Sequence, residues 1–83
     1  MYELQFSKKA VKELKRLEKS VKERIWVKLQ ECKVDPFRFL KHLEQIKGYK
    51  LRVGDYRLII DVDINNRILN MIKLGNRRNI YEK

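Results

Sequence analysis

The sequence predicts an α+β fold: an N-terminal strand, a two-helix antiparallel hairpin, then an antiparallel sheet, in the order β-α-α-β-β-β. The helices cover one face of the sheet and leave a basic face open. Three observations carry this expectation. Apolar residues recur at helical spacing between Ser7 and Cys32. From Tyr49 onward they alternate at strand spacing. Between two of the alternating runs stands Gly54-Asp55, an acceptable two-residue hairpin loop.

Taken in order, Tyr2 to Phe6 alternates, with Tyr2, Leu4 and Phe6 on one face, and reads as a short strand. Ser7 suits a helix N-cap, because its hydroxyl can accept an otherwise unpaired backbone N–H. Ala10, Val11, Leu14 and Leu17 then form an apolar stripe with lysines and glutamates opposite. Ser20 and Glu23 have capping-box spacing and predict a second helix start. Its stripe is Val21, Ile25, Leu29 and Cys32, and Pro36 closes it. A link this short makes the two helices antiparallel. Pro36 to Lys47 reads as a loop with at most one helical turn, near Leu40 to Leu43. Three strand-like runs follow: Tyr49–Val53, Tyr56–Val62 and Ile68–Leu74. Asn65-Asn66 is a turn signal between the last two, and Gly75 ends the third.

The 83 residues fit one domain, residues 1–83, with one modest core. Lysine and arginine total 21 against 11 acids, a net charge of +10, which favours polyanionic partners. Cys32 is the only cysteine, so neither an internal disulfide nor a cysteine-based zinc site can form. Its place at the end of an apolar stripe reads as a small core residue. No signal peptide and no membrane-spanning apolar run is present, so a cytoplasmic setting without membrane contact is the expectation.

The Gly54-Asp55 turn fixes a register. It pairs Val53 with Tyr56, Leu51 with Leu58, and Tyr49 with Ile60, all apolar or aromatic and facing the helices. The alternating positions pair Arg52 with Arg57 and Lys50 with Ile59 on the open face. Like charges opposed across strands are destabilising, whereas one lysine is enough to blunt a sheet edge. Three cations on paired strands therefore point to a polyanion site. Lys73 on the third run, Lys47 before the hairpin, and Arg77, Arg78 and Tyr81 in the tail extend it. The lone histidine, His42, reads as a surface or packing residue. Asp61 shares the face of Arg57 and balances charge. Trp26, Phe37 and Phe39 read as core or partner-contact residues, with Trp26 partly exposed beside its stripe.

The stretch LRVGDYRLII, then a strand and Gly75-x-Arg77-Arg78-x-x-Tyr81, resembles the RelE toxins of the RelE/ParE superfamily. The N-terminal strand and helical hairpin fit too, so the resemblance covers nearly the whole chain. It implies a ribosome-dependent endoribonuclease that cuts mRNA in the A site, works without metal or cofactor, and is neutralised by an acidic RelB-like antitoxin. By position, Lys50 matches a family lysine beside the scissile phosphate. Arg57 matches the arginine of the DYR segment, Arg77 the arginine two after the glycine, and Tyr81 the tyrosine near the chain end. Some members carry a second lysine two residues before the first; here that position is Gly48.

RNA carries its own nucleophile, the 2′-hydroxyl. A cleaving protein must take its proton, stabilise charge growing on the phosphate, and protonate the leaving 5′ oxygen. Arg57 and Arg77 suit the second task. Tyr81 is the assigned base, with Lys50 an auxiliary base or charge stabiliser, and Arg77 the candidate acid. Arg52 holds a neighbouring phosphate. Two alternatives stay open: a ParE-type toxin that inhibits DNA gyrase on the same fold, and a non-catalytic basic module that binds RNA or an acidic partner.

Overall fold

The computed structural model describes residues 1–44 and 48–76. Strand β1 (Glu3–Phe6) leads into helices α1 (Lys8–Lys15) and α2 (Lys19–Val34) and a helical turn, α3 (Pro36–Phe39). Strands β2 (Lys41–His42), β3 (Tyr49–Val53), β4 (Tyr56–Asp63) and β5 (Ile68–Asn76) follow. They form one sheet in the order β1-β5-β4-β3-β2. The expected layers are present, with two additions. Strand β1 joins the far edge parallel to β5, pairing Glu3 with Ile68 and Phe6 with Met71. The two-residue β2 extends the other edge.

The core lies between the helices and one sheet face. Ala10, Ile25, Leu29 and Cys32 meet Leu51, Val53, Leu58, Ile60, Leu69, Met71 and Leu74. Both helical stripes account for their half of this, except Val11. One residue on from Ala10, it has rotated about 100° away from the core and is 39% exposed. Burial pushes the Cys32 thiol up to about 11, Lys28 pulls it down, and Glu31 raises it. Thiolate is therefore scarce at neutral pH. At pH 8 the folded protein should react with an aromatic disulfide reagent far more slowly than the protein in 6 M guanidinium. Equal rates would contradict the burial.

Ser7 caps α1 as expected, its Oγ accepting the Ala10 N–H at 3.0 Å. The same hydroxyl donates to the carbonyl of Ile72. Further along α1, a carboxylate oxygen of Glu13 accepts the Leu74 N–H at 2.8 Å. The second helix start differs from the expectation. Helix α2 begins at Lys19, after Glu18, and Glu18 makes no side-chain cap. Ser20 and Glu23 lie inside the helix, so their spacing forms no capping box. The reason is the three-residue link. Leu17 donates to Leu14 O, closing α1, and Lys22 already donates to Glu18 O.

The segment after α2 also differs. Pro36 opens a helical turn rather than only ending a helix, since its fixed φ suits a first helical position. Leu40 to Leu43, expected to hold a turn, is extended. Its two leucines are buried, and Lys41 and His42 between them pair with Lys50 and Tyr49. His42 packs edge-on against Tyr49, ring centroids 5.2 Å apart. Leu43 covers Ile59, which is only 2% exposed. Ile59 is thus not on open surface, because the β2 segment folds over it.

Strand β5 continues through Gly75 to Asn76 instead of stopping at Gly75, because β4 supplies partners as far as Tyr56. A bulge lies opposite Ile72: Ile59 pairs with Lys73, and Ile60 with Met71. One extra residue switches the side-chain alternation. It lets Met71 and Leu74 both enter the core while Lys73 stays on the other face. The turn after β4 is closed by Asp63, whose carboxylate accepts from the Asn66 side chain and backbone N–H. These bonds hold its pKa below the ordinary value. Their stabilisation is complete above the unfolded carboxylate range and is lost as pH falls through the lowered pKa.

Candidate nucleic-acid interface

The β3–β4 hairpin has the register read from its turn. Val53 pairs with Tyr56, Leu51 with Leu58, Tyr49 with Ile60, Arg52 with Arg57, and Lys50 with Ile59. Gly54 has φ +60°, as the first central residue of a type II′ turn requires. Leu51, Val53, Leu58 and Ile60 are buried against the helices, so a one-residue slip would put Arg52 and Arg57 into the core. Burial on one face is what holds the arginines on the other.

Four cations meet in a cleft of about 180 Å³: Lys41 from β2, Lys50 and Arg52 from β3, and Arg57 from β4. Leu51, Phe39 and Lys28 complete its lining. Lys28, a fifth cation at the edge of this lining, pairs with Glu31 at 3.1 Å and lies 5.0 Å above the Phe39 ring. Arg52 donates through Nε to Gly54 O at a long 3.4 Å, which leaves its terminal nitrogens for a ligand. Arg57 faces Gly75 across β4–β5. With no side chain opposite, a guanidinium has room on that side. Lys73 lies beyond Ile59 on β5 and is half-buried. A fixed set of cations on sheet strands can hold phosphate oxygens and stabilise charge that grows on them. Among the described residues no cluster of three metal-ligating side chains is present.

Of the residues expected here, the structure brings together Lys50, Arg52 and Arg57, with Lys73 on the same face. Lys47, Arg77, Arg78 and Tyr81 lie outside the described residues. Lys41 was not foreseen. It sits on a strand of two residues, too short to show any periodicity, so no pattern in the sequence marks it.

Gly48 is explained by the backbone. Its φ is +121°, where side chains are rarely tolerated, and a Cβ there would lie 3.2 Å from Ile60 O. Gly48 O also accepts the Leu43 N–H at 3.0 Å. Gly48→Ala should cost roughly 1–3 kcal/mol, read as a lower urea midpoint at unchanged slope. An unchanged midpoint would count against this account.

A second concavity, about 750 Å³, is lined by residues of α1, α2 and the end of β1. Phe6, Leu14, Ile25 and Trp26 give it an apolar floor, and Lys15, Lys19 and Lys22 contribute to its walls. Trp26 is 56% exposed there, consistent with its place beside the α2 stripe. No helix among the described residues is long and apolar enough to cross a membrane.

Comparison with known proteins gave one family. The profile of the ParE toxin of type II toxin–antitoxin systems matches residues 4–81. Among solved structures, the chain resembles the RelE–RelB complex from Pyrococcus horikoshii, with 27% identity and TM-score 0.80 over 94% of this chain and 97% of that one. It resembles the Escherichia coli RelBE toxin–antitoxin complex at 30% identity and TM-score 0.78, covering 92% and 96% of the two chains. For the isolated E. coli RelE toxin the values are 29%, 0.80, 92% and 84%. A search of curated proteins by sequence found no match.

Proposed function

The chain belongs to the RelE/ParE family of toxins from type II toxin–antitoxin systems, and we propose that it acts as a RelE-type endoribonuclease that cuts mRNA on the ribosome. The observation that carries this reading is the cationic cleft. Lys41, Lys50, Arg52 and Arg57 share it, and among the described residues no carboxylate lines it. The reaction assigned to it is transesterification. The 2′-oxygen attacks phosphorus and loses its proton to a base. The bond from phosphorus to the 5′ oxygen breaks, and that oxygen takes a proton from an acid. The products are a 2′,3′-cyclic phosphate and a 5′-hydroxyl end. Arg57 stabilises the charge gathering on the phosphoryl oxygens, and Lys50 supports the 2′-oxygen as it loses its proton. Arg77 and Tyr81 take the remaining roles, with Tyr81 as base. They follow the end of β5, where Asn76 pairs with Tyr56 next to Arg57. Arg52, Lys73, Lys47 and Arg78 are assigned to flanking phosphates.

An acidic antitoxin is the proposed partner. The apolar groove beside Trp26, with its lysines, suits the apolar face and acidic flanks of an amphipathic segment. The ribosome, as the site where mRNA is positioned, sets the proposed location in the cytoplasm. Positioning matters because a site with few proton-transfer groups depends on substrate alignment for its rate.

The test is a cell-free translation reaction with added protein, mapping mRNA 5′ ends by primer extension beside an Arg77→Ala control. Ribosome-dependent cuts within the reading frame, absent with Arg77→Ala, are the expected result. Intact mRNA would overturn the reading. A gyrase-inhibitor reading is favoured by one observation, the match to the ParE profile. Supercoiling inhibition with intact mRNA would establish it instead.

A further inference from the structure

We infer that Lys41 is a phosphate-binding residue of this interface, holding the RNA phosphate next to the one that reacts; the inference rests on the ribonuclease reading above. Lys41 stands directly opposite Lys50 in the β2–β3 pair. Side chains so placed have Cβ atoms about 5 Å apart, and like charges there oppose folding. Among the described residues no carboxylate pairs with either lysine. The repulsion is therefore not relieved from within the described protein, and a bound anion would relieve it.

The strand that carries Lys41 is held firmly. It is only two residues long, yet Leu40 and Leu43 on either side are buried, and Leu43 donates to Gly48 O. The anchoring is done by the flanking leucines, and Lys41 itself is exposed over the cleft. The backbone at Gly48 also disfavours a cation two residues before Lys50, because its φ of +121° strains any side chain and a Cβ there would lie 3.2 Å from Ile60 O. The next place from which a cation can reach that side of the cleft is the neighbouring strand, and Lys41 occupies it. Alternate residues along a strand are about 6.6–6.8 Å apart and neighbouring strands about 4.8 Å. The backbone origins of Lys41, Lys50, Arg52 and Arg57 are thus spread over three strands, which lets their side chains serve two phosphates in succession.

The test uses the full chain and a fluorescein-labelled 2′-O-methyl RNA octamer, which cannot be cleaved. Affinity is measured by anisotropy at several salt concentrations. Lys41→Ala and Lys41→Gln should weaken binding roughly 3–10-fold and flatten the salt slope by about 0.7. Lys41→Arg should retain both. Lys9→Ala removes the same charge from exposed α1 surface across the sheet and should leave the slope unchanged. The thermal midpoint of Lys41→Gln should not fall, since it removes a repulsion. A lowered midpoint, or Lys41→Ala behaving like Lys9→Ala, overturns the inference. If Arg57→Ala weakens binding and Lys41→Ala does not, the inference alone fails. If neither does, this face is not the RNA interface and the ribonuclease reading fails with it.

Discussion

Arg57→Ala is expected to slow the proposed ribosome-dependent mRNA cleavage about 10²–10³-fold, the usual loss when one preorganised group aimed at transition-state charge is removed. Arg57 lies on a central strand, between Arg52 on β3 and Gly75 on β5. Its backbone is fixed on both sides by ladders whose alternate residues are buried, so the guanidinium is positioned before substrate arrives. Arg57→Lys should recover only part of the rate, because an ammonium cannot hold two oxygens as a planar fork does. The fold should survive. Truncation at 57 relieves the like-charge pair with Arg52, which offsets lost packing of the side-chain stem. Single-turnover cleavage on programmed ribosomes, run beside a thermal melt, separates the two effects. Undiminished cleavage by a folded Arg57→Ala protein would remove Arg57 from the chemistry.

Ile59→Ala should cost about 2–5 kcal/mol, a large part of the roughly 5–15 kcal/mol that holds a small domain together. By alternation Ile59 belongs to the basic face with Lys50 and Arg57, where truncation would change stability by no more than about 0.5 kcal/mol. The structure instead buries it under Leu43. This two-residue cluster fastens the β2 segment to the sheet. Ile59→Ala should therefore also loosen Lys41 and His42, seen as faster amide exchange at those residues than in the hairpin. Ile59→Val should cost only about 0.5–1.5 kcal/mol. A urea midpoint for Ile59→Ala equal to that of the unaltered protein would show that Leu43 does not cover it.

The hairpin could be read from the sequence because two independent signals agreed on it. The Gly54-Asp55 turn and the alternation on both flanking strands each fix the register, and one slip would bury arginines. The α1 cap was legible for a similar reason: Ser7 directly precedes the first turn of the stripe. Ser20 and Glu23 had the spacing of a cap without the place of one, since a three-residue link forces α2 to begin earlier. The β2 edge was not legible. Two residues carry no period, and what holds them is the contact of Leu43 with Ile59, a residue sixteen positions away. The bulge opposite Ile72 was hidden too: Leu69 and Met71 alternate with each other, and only Leu74 departs from their parity. Of the interface, the hairpin cations came from pattern and Lys41 only from the fold.

The outer side of β5 has a consequence for how the protein survives at high concentration. Beyond Phe6, strand β1 no longer covers it, and a bare strand edge is where chains add to one another and aggregate. Here the Ser7 hydroxyl and the Glu13 carboxylate hold Ile72 O and Leu74 N–H, so side chains of α1 and its N-cap stand where a foreign strand would dock. To template growth there, an incoming chain would have to displace a carboxylate already bonded to the backbone. At the opposite edge, Arg52 and Lys41 present charge to any approaching copy of the same chain. The cationic residues assigned to RNA and the acidic residue on α1 thereby share a second task, keeping each sheet from joining the next.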